Sequence, residues 1–159
     1  MSLKHLSNSP RTGSTSAVLK TGVYPKSRVN FGRIYSNFIS NLGANSGSVV
    51  SFLGVSRLES ADGHRKVRAL VMESYENHAN KILRAICEQT RRRYGLNEIS
   101  IVHALGKFAP GEPVVIVLIS SARRKDSLAA LKEAVERYKK EPALFKKEIY
   151  EDGTSRWIG

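Results

Sequence analysis

A single cysteine, Cys87, stands among 159 residues, which excludes an intramolecular disulfide framework and any metal site built from several thiolates. A reducing, cytoplasmic setting is the matching expectation, with no metal and no cofactor of the chain's own. No apolar run approaches the roughly 18 residues of a membrane span, and the N-terminus lacks the continuous apolar stretch of a secretory signal. A soluble chain without membrane association is therefore expected. Glycine-rich phosphate loops of the Walker or dinucleotide type, histidine pairs at ligand spacing and a Gly-x-Ser-x-Gly elbow are also missing. Acid is scarce as well, since the first carboxylate side chain is that of Glu59.

What the chain has instead is positive charge. Lys and Arg number 26 against 14 Asp and Glu, a net +12, while the 41% hydrophobic and 25% charged content is that of an ordinary globular protein. Seven basic groups (Lys4, Arg11, Lys20, Lys26, Arg28, Arg33, Arg57) precede the first acid. Such a chain prefers anionic partners, whether nucleic acid, a phosphorylated small molecule or an acidic protein. Residues 1–26 are Ser/Thr-rich, basic and acid-free, formally like a transit peptide; the favoured reading is a flexible basic extension ahead of one domain over 27–159.

Apolar spacing of three and four predicts helices over Arg28 to Leu42, with Tyr35 and Ile39 in the apolar stripe, over Asn77 to Tyr94, stopped by Gly95, and over Asp126 to Lys140, stopped by Pro142. Strands are predicted over Gly47 to Val55, Val67 to Tyr75, Glu98 to Leu105 and Pro113 to Ser120, with terminal strands around Asp152-Gly153. The first two read as a long-looped hairpin, and the apolar run PVVIVLIS reads as a central strand buried on both sides. The order predicts an α+β fold: a two-layer domain with a mostly antiparallel sheet and about three helices. Cys87 falls on an apolar helical stripe and reads as a small core residue.

Candidate chemistry rests on cations at pointed positions. Arg57 ends the first strand, and Arg123-Arg124 follow the central strand into a helix, where free backbone N–H groups and the helix dipole favour a phosphate. Lys139 and Lys146, with neighbours Lys140 and Lys147, flank the break after that helix. Lysines crowded by other cations and partly desolvated lose proton affinity, which suits proton transfer or nucleophilic chemistry. On periodicity alone the favoured reading is solvated helix-end charges. Of the four histidines, only His103 lies within a predicted strand.

The segments Ser51 to Arg57 (SFLGVSR), Leu70 to Tyr75 (LVMESY), Ile101 to Gly106 (IVHALG) with Pro110-Gly111-Glu112, Ser120 to Arg124 (SSARR), and Phe145 to Tyr150 (FKKEIY) with Asp152-Gly153 and Trp157 resemble the large, catalytic subunit of molybdopterin synthase, in that family's order and spacing. The resemblance implies an enzyme of molybdenum-cofactor biosynthesis. In that family a small ubiquitin-like subunit inserts its Gly-Gly thiocarboxylate tail into the large subunit, and two such sulfurs convert cyclic pyranopterin monophosphate (precursor Z) to the dithiolene of molybdopterin, which the resemblance implies for this chain.

Carried over by motif, the catalytic lysines fall on Lys139 and Lys146, though a one-residue slip would substitute Lys140 and Lys147. The resemblance implies substrate binding by Val55, Ser56, Arg57, Arg123, Arg124, Lys139, Lys146, Lys147 and Glu148, and a tail pocket of Phe52, Arg57, Lys139 and Lys146. It implies a dimer of large subunits within a heterotetramer, with the pterin site near the dimer interface. Arg123 stands where the family usually has His, and Phe145 where it usually has Trp, keeping an aromatic wall. Two alternatives remain at this point. One is a nucleic-acid-binding module using the basic N-terminal third, disfavoured by the lack of interleaved aromatics. The other is a degenerate homologue that binds the small subunit without catalysis.

Overall fold

The computed structural model describes residues 19–159. Its strands are β1 (Gly22–Pro25), β2 (Ser48–Val55), β3 (Val67–Ser74), β4 (Glu98–Phe108), β5 (Pro113–Ser121), β6 (Leu144–Tyr150) and β7 (Ser155–Ile158). Its helices are α1 (Phe31–Ser40), α2 (Glu76–Tyr94) and α3 (Arg124–Lys140). The strands form one sheet in the order β2-β5-β4-β3-β6-β7, antiparallel throughout, with β1 added parallel to β4.

The apolar run of β5 requires cover on both faces and a partner on both edges, and it receives them. It lies between β2 and β4 and is buried from Val114 to Ser121. β4 spans both halves of the sheet. Its first part pairs β5 from Glu98↔Ser120 to His103↔Val115, while its other edge takes β1 beside Val102 to Leu105 and then β3 from Gly106 to Phe108. At the change of partner Gly106 has φ 132, a backbone state that side chains other than hydrogen resist.

On one face, α2 and α3 bury Leu83, Ile86, Ala130 and Ala134 against Ile99, Ile101, Val117 and Ile119. On the other, α1 lays Phe31, Ile34 and Phe38 against Val102, Ile116 and Leu118. The helix-on-sheet layering thus gains local cover from α1 on the second face. α1 starts three residues later than periodicity predicts, because Lys26–Arg28 forms a separate 3₁₀ turn and the Asn30 side chain caps the new helix through the Arg33 N–H at 2.9 Å. Tyr35 and Ile39, expected in its apolar stripe, stay 42% and 37% exposed.

Two further expectations are corrected. β2 and β3 form no hairpin; β2 pairs β5, and β3 pairs β4 and β6. Sequence neighbours often pair, but here the long apolar β5 takes β2, and the segment from Ser56 to Lys66 must cross to the other half of the sheet. The extension expected over residues 1–26 also gives up its end to the fold. Gly22–Pro25 forms β1, and Val23, 2% exposed, belongs to the core while its N–H donates to Asn80 Oδ1 at 2.7 Å. Residues 1–18 of that extension lie outside the described residues.

Cys87 sits in the α2 core face with its sulfur 3.6 Å from Thr21 Oγ1. Burial pushes its thiol up to about 11. At pH 8 the thiolate is then about one part in a thousand, so an aromatic disulfide reagent is expected to label Cys87 only after denaturation. Rapid labelling of the native protein would contradict this burial.

Candidate active site: a cationic cavity at the end of α3

The sheet curls so that both ends of its strand order border one cavity of about 530 Å³, with Leu53, Gly54 and Val55 of β2 on one side and Ile158 of β7 on the other. Laid flat, six strands would hold these edges about 24 Å apart. His103 of β4, Val114 and Val115 of β5, Leu70 and Met72 of β3, and Tyr138 and Lys139 from the last turn of α3 complete most of the wall.

Strand alternation and helix phase decide which cations face inward. On β6, Lys146 and Glu148 line the cavity, whereas Lys147 points to the opposite face, with its ammonium 5.3 Å from the Trp157 ring. In the last turn of α3, Lys139 reaches the cavity with its Nζ 5.7 Å above the Phe52 ring, and Lys140 does not line it. Arg57, just beyond β2, is the third cation of the wall. Burial lowers the proton affinity of Lys146, and the charges of Lys139 and Arg57 lower it further.

Beneath the cations lies a neutral floor. His103 is 1% exposed, and burial pushes its imidazole down to about 4, so that it is uncharged near neutrality with Nδ1–H donating to the Ala104 carbonyl at 2.9 Å. Tyr138 stands edge-on to that ring at 6.2 Å and tilted to Phe52 at 6.4 Å; burial pushes its phenol up to about 12. Ser56 is fixed by backbone hydrogen bonds to Glu112 and Gly111, and its buried Oγ has no protein partner. The arrangement suits an anion held by Arg57 and the lysines, with an ammonium of weakened proton affinity beside it to donate or accept a proton.

Of the residues singled out from the sequence, Phe52, Val55, Ser56, Arg57, Lys139, Lys146 and Glu148 line this cavity. Arg123, Arg124 and Lys147 do not. Arg123 caps and Arg124 opens α3, whereas Lys139 lies in its last turn. At 1.5 Å per residue the helix separates them by roughly 22 Å. Phe145 likewise faces away from Lys146 and stacks edge-on against Tyr75 at 5.5 Å, so it is no wall of this cavity. Ala61, which reaches the wall from the β2–β3 connection, carries no local signal in the sequence, and Tyr138 read only as core.

The profile of the MoaE protein family matches residues 26–141. Among curated proteins, the chain is 36% identical over 117 residues to a molybdopterin synthase catalytic subunit from Dictyostelium discoideum, covering 72% of this chain and 73% of that one. It is 35% identical over 111 residues to one from Rattus norvegicus, covering 70% of this chain and 54% of the relative. The match thus spans little more than half the length of the mammalian relatives. Among solved structures, the molybdopterin synthase from Staphylococcus aureus superimposes with a TM-score of 0.78 at 27% identity, over 90% of this chain and 99% of that one. The same fold recurs in a protein–protein complex of subunits 1 and 2 of molybdopterin-converting factor from Helicobacter pylori, at 18% identity and a TM-score of 0.65 over 89% of each chain.

Proposed function

Since the chain belongs to the MoaE protein family, we propose that it is the catalytic subunit of a molybdopterin synthase, moving sulfur from the thiocarboxylate tail of a small ubiquitin-like subunit onto precursor Z. The observation that carries this reading is the convergence of Arg57, Lys139 and Lys146 on one cavity with an apolar and neutral floor. A substrate phosphate and a C-terminal thiocarboxylate are both anions, and both need fixed positive partners. Displacement at the pterin side chain needs a movable proton, which the weakened ammonium of Lys146 supplies. Lys139 holds the incoming tail and, through its charge, keeps the proton of Lys146 loosely bound.

Arg123 and Arg124 are roughly 22 Å of helix away from Lys139, so they remain phosphate ligands only if a second copy presents them to this cavity. That requirement agrees with the dimer of large subunits, each with one small subunit, which the family resemblance implies. Nucleic acid is not favoured as the partner, since the cations that converge do so inside a cavity of about 530 Å³ rather than along an open stripe.

The test mixes the purified chain with thiocarboxylated Gly-Gly-ended small subunit and precursor Z and measures dithiolene. Product is expected in proportion to the thiocarboxylate supplied. A stable complex that yields no product would instead identify a homologue that binds without catalysing. Failure even to form the complex would remove the family function altogether.

A further inference from the structure

Glu148 lines the cavity and belongs to the motif from which substrate binding is inferred, yet its carboxylate is already committed. It is 5% exposed; Oε1 accepts the Ala61 N–H at 3.0 Å, and Oε2 accepts the Tyr150 hydroxyl at 2.9 Å. Ala61 belongs to the segment that leaves β2 at Ser56 and enters β3 at Val67, the segment that carries Arg57. We infer that Glu148 is a positioning residue, a latch that holds this strap against β6 and thereby presents Arg57 to the cavity.

The strap is built to be held at that point. Gly63 N–H donates to the Ser60 carbonyl at 2.9 Å, closing a turn in which Ala61 and Asp62 are the central residues. Ser60 Oγ and the His64 N–H both donate to Asp62 Oδ1, and the Arg65 N–H donates to Ser60 Oγ. The turn is thus a small rigid unit, and its Ala61 N–H points out of it to Glu148. Beside the latch, the Arg65 guanidinium lies 3.8 Å from the Tyr150 ring. Val67 N–H returns to the Leu58 carbonyl, and Glu151 N–H to that of Lys66. The Ala61 N–H bond to Glu148 Oε1 ties the turn itself to the strand that holds Lys146, two residues earlier on β6. Oε2 is steadied by Tyr150 of the same strand, and an exposed Arg156–Asp62 contact at 3.9 Å adds a peripheral tie to β7. With one protein donor on each oxygen the carboxylate is held in place by the fold, and its negative charge would repel an anionic substrate.

This inference rests on the reading of Arg57 as an anion ligand, and the experiment separates the two. Limited trypsin digestion of the full chain reads the strap directly, since Arg57, Arg65 and Lys66 lie on it. Glu148→Ala is expected to speed cleavage there at least tenfold and to cut dithiolene formation, whereas Glu148→Gln, whose amide oxygen still accepts the Ala61 N–H, stays near wild type in both. Ala61→Pro removes the donor and leaves the carboxylate. Proline suits the first central position of such a turn, and no residue other than glycine has positive φ here. It should reproduce Glu148→Ala, and the double variant should be no worse than either single one. Unchanged cleavage in Glu148→Ala or Ala61→Pro, with melting temperatures close to wild type, would overturn the latch. Lost activity with an intact strap would make Glu148 a substrate ligand instead. Arg57→Ala tests the underlying reading alone. Full product formation by that variant removes Arg57 from the anion site, while the cleavage rates still decide the latch.

Discussion

Lys146→Met is expected to abolish dithiolene formation while leaving the protein at least as stable as the wild type. The two effects share one cause. Lys146 is half-buried on β6, and burial, then the charges of Lys139 and Arg57, disfavour its ammonium. Its proton affinity is thus lower folded than unfolded, so the unfolded chain binds the extra proton more readily between the two values. Stability rises with pH across that window, and below it the cost of the buried charge is present in full. Methionine keeps the apolar stem and removes that cost. A general acid or base contributes roughly 10²–10⁴ in rate, so a loss of at least two orders of magnitude in turnover should accompany an unchanged or raised melting temperature. The same electrostatics set the sign of a pH shift. Lys139→Ala removes a neighbouring charge, raises the proton affinity of Lys146, and should move any activity limb that Lys146 governs to higher pH. Substantial turnover by Lys146→Met, in an assay saturated with loaded small subunit, would take the proton-transfer role away from this lysine.

The largest stability effect is expected at the end of β4. Phe108 is fully buried and packs with Met72, Ala104 and Val114. Lys26 lies 4.9 Å above its ring and is itself paired with Glu112 at 2.7 Å. Phe108→Ala removes the ring and leaves a hole between elements that cannot easily collapse, since β3 and β4 are held in register there from Leu70↔Phe108 to Met72↔Gly106. Buried Phe→Ala changes cost about 3–5 kcal/mol, a large share of the ~5–15 kcal/mol that stabilises a typical domain. Urea unfolding should show the midpoint falling with an unchanged slope. Because Met72 also lines the cavity, the surviving folded fraction should bind substrate more weakly, whereas an unfolding free energy within about 1 kcal/mol of wild type would mean that this end of the sheet repacks freely.

The elements were legible where one residue type decides the outcome. The apolar run of β5 fixed a central strand, Gly95 ended α2 in a left-handed conformation at φ 60, and helical spacing found the core faces of α2 and α3. The pair Lys139 and Lys146 was legible through motif and register, and strand alternation then separates Lys146 from Lys147. Pairing was not legible, because periodicity says which face of a strand is buried and nothing about its neighbour. Hence β2 and β3, adjacent in sequence, lie apart in the sheet. Distance along a helix was overlooked too. Arg124 opens α3 and Lys139 is its last residue but one, so nearly the whole length of that 17-residue helix holds them apart. The role of Glu148 was hidden for a different reason: a buried carboxylate and its backbone donor, 87 residues apart in the chain, leave no local pattern.

The curl of the sheet has a kinetic consequence. Residues as distant as Phe52 and Ile158 border the same cavity, and its three cations come from three separate parts of the chain, Arg57 after β2, Lys139 at the end of α3 and Lys146 on β6. Loop-closure entropy makes such contacts late events in folding. A nascent chain therefore gains its full anion-binding surface only once β6, which carries Lys146, has docked on β3. Three crowded cations are then brought together at the final stage, when the hydrophobic faces are already buried and can bear their repulsion.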